Sequence, residues 1–549
     1  MTNQRLARRG AFRAFATALA LAGVLVGCAQ DVGLIDRVQP GALHKKAFDG
    51  EWYFQRTVVD APYTVGYTFV GEAEELERVR WDITETHLVA YRAYDFIAGT
   101  DLDHGKRAHP GESVHGQPVA IYPITKHFDV QREYNSNTGE QVNVLIENDG
   151  DRPWYERTHI RVDWSQNLAP NFLFTIDTIK TQPVAWAITD PADPDAMTMA
   201  WRDTARPSGW RDTRDPATQR DAKDPGYIDF VAKVQATPEV YDVWDPDWGP
   251  WSAPACWFYL NEDCKAAELK IRTSLLRVDP NDDYEPLEYP DNVIARDGDG
   301  EAIRVIEDVE IDGNDIAHSK GLRRDADGEL VRVPWFDKFG YFRAERFGYD
   351  ERYGEVESAR RYFISRWNIW QNSQAADGTP IPMAERATRP IVYYLGQGFP
   401  EALIPAAKEL ERQWDETYRR TVAALRGVEP EAVEQIFFVK PNTLAASADG
   451  SLTDRGQRVG DLRYALLNAV VEPTRAGLLG YGPSSTDPTN GRIVAASANV
   501  YVGPLKTFAT YGRDIIRLAR GEIDPEEYGL GHIAEGEVRA ALAVFAPSS

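Results

Sequence analysis

The sequence predicts an α+β protein in which β-rich N-terminal domains precede an α/β domain. Three observations predict it. Between residues 50 and 146, short alternating apolar runs are separated by Gly, Pro, Asp and Asn turn signals, the pattern of a β meander. Residues 391–395 (IVYYL) are β-branched and aromatic and are closed by Gly396-Gln397-Gly398, so they read as a buried strand. Directly afterwards Leu403, Ala407, Leu410, Trp414, Tyr418, Val422 and Leu425 recur every three or four residues. That spacing places them on one helical stripe, with Glu409, Arg412, Asp415 and Arg419 off it. Pro400 suits a first turn and Pro405 has no N–H to give, so the regular helix is expected to start at Pro405.

At 549 residues the chain exceeds one ordinary core, and two to four domains are expected. Hydrophobic residues at 43% and 15 Trp suffice for packed cores and exclude global disorder. The formal charge is −24. Such a surface repels phosphate backbones, which excludes nucleic acid as a partner class.

The N-terminus carries Arg5, Arg8, Arg9 and Arg13 before an apolar stretch, 15–26, too short to remain as a membrane span. It closes on Leu25-Val26-Gly27-Cys28, which resembles the bacterial lipobox. The resemblance implies cleavage after Gly27, acylation of Cys28 and a membrane anchor of several acyl chains, enough for stable attachment. Ala29 after the Cys favours the outer membrane by analogy with lipoprotein sorting. Losing the leader with its four Arg leaves the mature chain four charges more negative. Two cysteines remain, Cys256 and Cys264. In an oxidising envelope setting they read as a small-loop disulfide, with two free thiols as the alternative.

Residues 31–47 read as a tether. Within the meander, His104, His109 and His115 lie among Gly, Asp and Pro and match no zinc spacing, so they read as a solvated loop. A long segment rich in Asp-Pro and Gly-Pro pairs follows, containing the echo WRDTARPSGWRDTRDP at Trp201 and Trp210. Its Trp residues either pin the loop down or form a carbohydrate or peptide platform. Residues 265–278 read as strand. The acidic runs at 281–283, 297–301 and 312–315 place oxygens in Gly-containing turns as calcium sites do, but none fits the twelve-residue calcium loop. Strand character returns at 331–346 and 358–370, and 371–389 is a polar linker. Further strands are expected at 435–440, 464–471 and 493–501, and a second helix at 503–520 with Leu505, Phe508, Tyr511, Ile515 and Leu518 on its apolar face.

Several stretches together resemble a family of bacterial zinc-dependent metalloproteases of metzincin type. They are residues 72–94, 130–165, 362–370, the strand and helix at 389–418, VGDLRYALLNAV at 459–470 and GYGPSSTDPTNGRIVAASANVY at 480–501. The resemblance implies an incomplete metzincin-like α/β domain at the C-terminal end, with residues 493–501 bordering the peptide cleft. In that reading Ala495, Ser497 and Asn499 form an edge strand for extended peptides. The family's chemistry rests on HExxHxxGxxH, whose histidines hold zinc while the Glu takes a proton from the bound water. This sequence has no such motif, and after His318 its only histidine is His532. No Gly-x-Ser-x-Gly elbow or phosphate loop replaces it.

The domains expected are a lipoprotein signal peptide over 1–27 and a tether over 28–47. A β-rich domain follows over 48–180, then an irregular Trp/Asp/Pro-rich insert over 181–260. A second β-rich region with a linker covers 261–388, and the partial metzincin-like domain 389–549. The functional expectation is an outer-membrane lipoprotein that stops short of the catalytic helix and is inactive, with no catalytic residue, metal or cofactor of its own. Zinc enters only with the missing segment. The alternative is a non-catalytic peptide- or polysaccharide-binding surface lipoprotein.

Overall fold

The strand Glu51–Asp60 (β1) shows how the molecule is layered, because every residue from Trp52 to Val58 is buried. Alternate side chains on a strand point to opposite faces, so a run buried throughout must be covered on both. The computed structural model in which this is seen describes residues 33–525 and 528, without 40, 94, 97–116, 170, 174–177, 186–196, 203–208, 213–224, 239, 247–248, 255–264, 281, 290–293, 297–301, 305–309, 312–316, 319–321, 325–329, 333–341, 351–353, 447–451 and 473–477. The fold is α+β and built mostly of strands. The chain divides into two compact units, residues 1–43 with 126–161, and residues 44–125 with 162–549.

In the larger unit β1 sits inside an antiparallel sheet. Glu77–Ile83 (β2), His87–Arg92 (β3) and the first part of Pro118–Tyr134 (β4) follow it on one side. On the other side lie Tyr227–Pro238 (β5) and Ala267–Arg277 (β6), in the order β4-β3-β2-β1-β6-β5, with Thr178–Ala185 and Asn171–Leu173 beyond. The boundaries expected at 180 and 260 therefore fall inside one sheet. The segment read as an irregular insert supplies β5, of which Tyr227 through Val231 are buried. Its Asp- and Pro-rich flanks hid an alternating run, YIDFVAKVQATP, that is strand by pattern.

The α/β part has strands Ile391–Leu395 (β7), Phe437–Lys440 (β8), Ala465–Val470 (β9), Gly480–Tyr481 (β10), Ser484–Thr486 (β11) and Ile493–Tyr501 (β12). The order is β8-β7-β9-β12-β10, with β11 also on β12. Strands β7, β8, β9 and β12 are parallel, and β10 and β11 run antiparallel to β12. Between β7 and β8 the chain forms helix α1, Ile404–Arg426, one residue earlier than expected, with Pro405 in its first turn where a missing N–H costs nothing. Gly427 ends it in the left-handed conformation (φ 66°) and donates back to the Ala423 carbonyl.

Helix α1 packs on the sheet through Ala407 against Ile391, Leu395, Phe437, Val439 and Leu467, and through Val422 and Ala423 against Trp370, Val433 and Ile436. Side chains as fully buried as Val422 each contribute about 1.5–3 kcal/mol. Two stripe residues depart from expectation, since Trp414 and Leu425 are half exposed. Asp415, which the periodicity places off the apolar stripe, is buried. Its carboxylate accepts the Ile436 and Phe437 amides at 2.7 and 3.2 Å, satisfying two N–H groups where β8 begins.

The smaller unit is a short sheet. Gln141–Asn148 pairs antiparallel with the second part of β4 and parallel with Ile35–Asp36. Asp129 accepts from Arg152 and Thr158, and Glu147 from Arg161 and Lys126. Among the described residues no helix is long and apolar enough to cross a membrane.

Candidate functional site

The segment from β10 to β12 was expected to carry function, and its local structure follows from a turn that closes on Asp487. The Asp487 amide donates to the Arg492 carbonyl at 2.8 Å, and the Gly491 amide to the Asp487 carbonyl at 2.9 Å. Gly491 holds φ +78°, and a Cβ there would lie 2.4 Å from the Ile364 carbonyl oxygen, so only Gly fits. The turn thereby hands β11 back to β12 as a tight antiparallel pair.

Asp487 is fully buried. Its carboxylate accepts the Tyr53 hydroxyl at 2.7 Å, Arg78 Nη1 at 3.3 Å, and the Thr489 amide and hydroxyl at 2.8 and 2.6 Å. Burial, then the Asp487 charge, pushes the Tyr53 phenol far above its ordinary range. Burial opposes the charge on Arg78, yet Asp487 and Glu51 outweigh it and hold the guanidinium above its ordinary value. Nearby, the Ser485 hydroxyl donates to Gln55 Oε1 at 2.8 Å.

A second buried set fixes the loop that enters β9. Asp229 accepts from Arg272 at 2.6 Å and Arg458 at 2.7 Å, Arg272 also donates to the Val459 carbonyl, and Asp461 holds Arg463 at 2.7 Å. Arg455 and the backbone of Thr198 complete it, through the Thr198 hydroxyl at 2.7 Å and the Asp229 carboxylate at 3.1 Å. Burial works against the Asp461 charge, but Arg463 and Arg458 hold its carboxyl below the usual range. These carboxylates and guanidiniums are consumed by one another, so they act as an internal clamp rather than as acid–base groups.

The expected edge strand needs correction. Ala495, Ser497 and Asn499 all lie on β12, but both edges of β12 are paired, by β9 on one side and by β10 and β11 on the other. Their side chains are covered as well. Ala495 packs with Tyr53, Leu76 and Ala200, and a Cβ on Gly71 would meet Asn499 at 2.7 Å. Ser497 lines a cavity of about 20 Å³ with Gln55, Thr57, Asp461 and Ser485, room for one water. The opposite face of β12, Ala498 and Val500, packs towards α1. The signal in IVAASANVY is its lack of any charged residue and its small side chains, which suit a strand packed on both faces.

Among the described residues the open edge lies one strand further out. Ser484 stands opposite Ala496 while the Ser497 amide donates to the Pro483 carbonyl, so the Ser484 N–H and C=O point away from β12. Gly480 stands opposite Val500 while the Tyr501 amide donates to the Leu479 carbonyl, so Gly480 also points outward. Gly480, Gly482 and Ser484 are exposed, whereas Ser485 and Asp487 between this edge and the body are buried.

Other expected sites divide between the described residues and those outside them. Cys28, Cys256, Cys264, the histidines 104, 109, 115 and 532, and the acidic runs at 297–301 and 312–315 lie outside. In the first acidic run Asp282 pairs with Arg492, and Asp283 accepts the Ser373 amide at 2.6 Å. Trp210 is buried against Tyr227 with Arg202 over its ring at 4.3 Å, which removes it from any sugar platform. Among the described residues no three His, Cys, Asp or Glu side chains are gathered as metal ligands. No family model, curated protein or solved structure matches the chain.

Proposed function

We propose that the chain is an envelope lipoprotein, anchored through Cys28, which is related to the pre-catalytic part of a metzincin-type zinc metalloprotease and holds extended peptides without cleaving them. The carrying observation is the exposed edge at Gly480, Gly482 and Ser484, whose outward backbone groups stand at the spacing at which an added strand pairs. Main-chain pairing of this kind takes many sequences, because the ladder reads backbone and not side chains. A mixed sheet with a helix between its first two strands supports the kinship, as does the order of the stretches that resemble the family. Absence of peptide hydrolysis rests on the sequence, which has nine histidines and no HExxH among them.

The test is fluorescence anisotropy with unstructured labelled peptides, run beside casein turnover and zinc analysis of the same preparation. Saturable binding without turnover is expected. Stoichiometric zinc with casein cleavage would overturn the inactive part, and absence of binding would overturn the peptide-holding part.

A further inference from the structure

Four arginines from separate stretches of the chain meet around one segment, residues 366–371. The Arg366 amide donates to the Gly491 carbonyl at 3.0 Å and the Ile493 amide to the Arg366 carbonyl at 2.9 Å, which sets Arg366 beside Arg492. At the other end the Arg389 amide donates to the Ile369 carbonyl at 2.7 Å, and Arg389 Nη2 to the Gln371 carbonyl at 3.0 Å. Arg202 closes the strand Thr198–Arg202, with its guanidinium over the Trp210 ring at 4.3 Å. The charge of Arg492 reaches both Arg202 and Arg389. Withdrawal from water lowers each guanidinium below its ordinary value, and Arg492 lowers it further, against Tyr464 and Asp279 at Arg202 and against Asp282, Asp283 and Asp279 at Arg389.

Among the described residues only Arg492 of the four makes an ion pair, with Asp282. Arg366 and Arg389 each donate to a single backbone carbonyl, those of Glu285 and Gln371, and Arg202 has only its ring contact. The carboxylates near them are committed elsewhere. Glu285 is gripped by Arg386 at 2.6 and 3.0 Å, and Asp283 accepts the Ser373 amide. A second observation points the same way. Tyr284 is 9% exposed and lies 4.8 Å beneath the Arg366 guanidinium, yet its hydroxyl has no hydrogen-bond partner, and neither has Arg366 Nε. Buried donors are rarely left unmade, so these two call for an acceptor from outside the chain.

We propose that Arg202, Arg366, Arg389, Arg492 and the Tyr284 hydroxyl form a binding site for a phosphate group, carried by the inorganic ion or by a small phosphomonoester. A dianion answers three guanidiniums without an ion pair better than a single carboxylate does, and guanidinium forks match its oxygens. The chain's net charge of −24 repels polyanions, so the ligand is a small molecule rather than a nucleic acid or an anionic bilayer. The site makes no use of the backbone edge at Gly480, Gly482 and Ser484.

Calorimetric titration of the full chain with sodium phosphate at neutral pH and low salt tests the assignment, beside titrations with glycerol phosphate and with acetate. Saturable phosphate binding is expected, at least about tenfold tighter than acetate and weakened by added chloride. Tighter binding of the ester would assign the site to phosphorylated small molecules, and tighter binding of the ion to free phosphate. Arg389→Gln and Tyr284→Phe should each lower affinity by about tenfold or more, the worth of one charge-assisted hydrogen bond. Because the Tyr284 hydroxyl makes no bond within the protein, Tyr284→Phe should keep or raise the melting midpoint measured without phosphate, which separates lost binding from lost folding. Absence of saturable binding at millimolar phosphate, equal affinity for acetate, or unchanged phosphate affinity in Tyr284→Phe would overturn the proposal.

Discussion

The Tyr53 hydroxyl donates to the Asp487 carboxylate at 2.7 Å across 434 residues of sequence. This bond joins the middle of the antiparallel sheet to the turn that sets β11 against β12, so the position of the candidate edge depends on a residue of the first strand. Removing the acceptor leaves the buried Tyr53 phenol without its partner, strips the Thr489 amide and hydroxyl of theirs, and takes one of the two carboxylates beside Arg78, Glu51 remaining. Asp487→Ala is expected to cost about 3–5 kcal/mol, and Tyr53→Phe about 1–2 kcal/mol. Urea unfolding measures both, and equal small losses would show that Asp487 does not anchor the turn.

Replacing Gly491 by Ala combines a positive φ with a clash against the Ile364 carbonyl at 2.4 Å. A loss of at least about 2 kcal/mol is expected, because backbone, not a flexible side chain, must move. Gly378→Ala, also at positive φ but with open space around its Cβ, serves as the comparison and should cost less. A Gly491→Ala chain with an unchanged melting midpoint contradicts the geometry.

Ser484→Pro removes one outward N–H from the free edge and leaves every bond to β12 intact, since Ser484 gives β12 none. Peptide affinity is expected to fall about five- to tenfold, the worth of about one net hydrogen bond, with stability nearly unchanged. Undiminished binding in the Ser484→Pro chain would place the peptide elsewhere.

Trp210→Ala should act on stability rather than on sugar binding. The ring is buried in the cluster with Tyr227 and Leu276 and lies beneath Arg202, so truncation is expected to cost about 3–5 kcal/mol. Differential scanning calorimetry reads the loss, and a melting temperature equal to that of the unmodified chain would refute the core placement.

Acid should weaken the clamp. Burial alone would raise the Glu51 carboxyl, but Arg78 and Arg80 hold it below its ordinary range, as Arg463 and Arg458 hold Asp461. A carboxyl whose folded pKa lies below its unfolded value stabilises the fold above that unfolded value. The contribution is lost as pH falls through the folded pKa. Stability should therefore be level above about pH 5 and decline below about pH 4. Urea midpoints from pH 3 to 7 measure the decline, and Glu51→Gln should flatten part of it. In the smaller unit, burial is likewise overridden by Arg152 and Thr158, which draw Asp129 down to about 2, so carbon-detected NMR should find it ionised at pH 3.

The β-branched run at β7, the three- and four-residue stripe of α1, the Gly that ends it and the predominance of strands were all legible in the amino-acid sequence, because each is a preference of neighbouring residues. Local pattern decides which segments become strand or helix. What it leaves open is which segment lies beside which. The charged side chain of Asp415 is interior because β8 begins beside it, and on the last helix, Val502–Ala519, Asp514 is buried while Leu505, Phe508, Tyr511 and Ile515 are exposed. Ala495, Ser497 and Asn499 are enclosed because a turn held by Tyr53 and Arg78 lays β10 and β11 along their strand. Those outcomes depend on contacts hundreds of residues apart, where pairing and burial are settled by the whole chain at once, and there the tertiary structure alone moved the open edge from residues 493–501 to Gly480, Gly482 and Ser484.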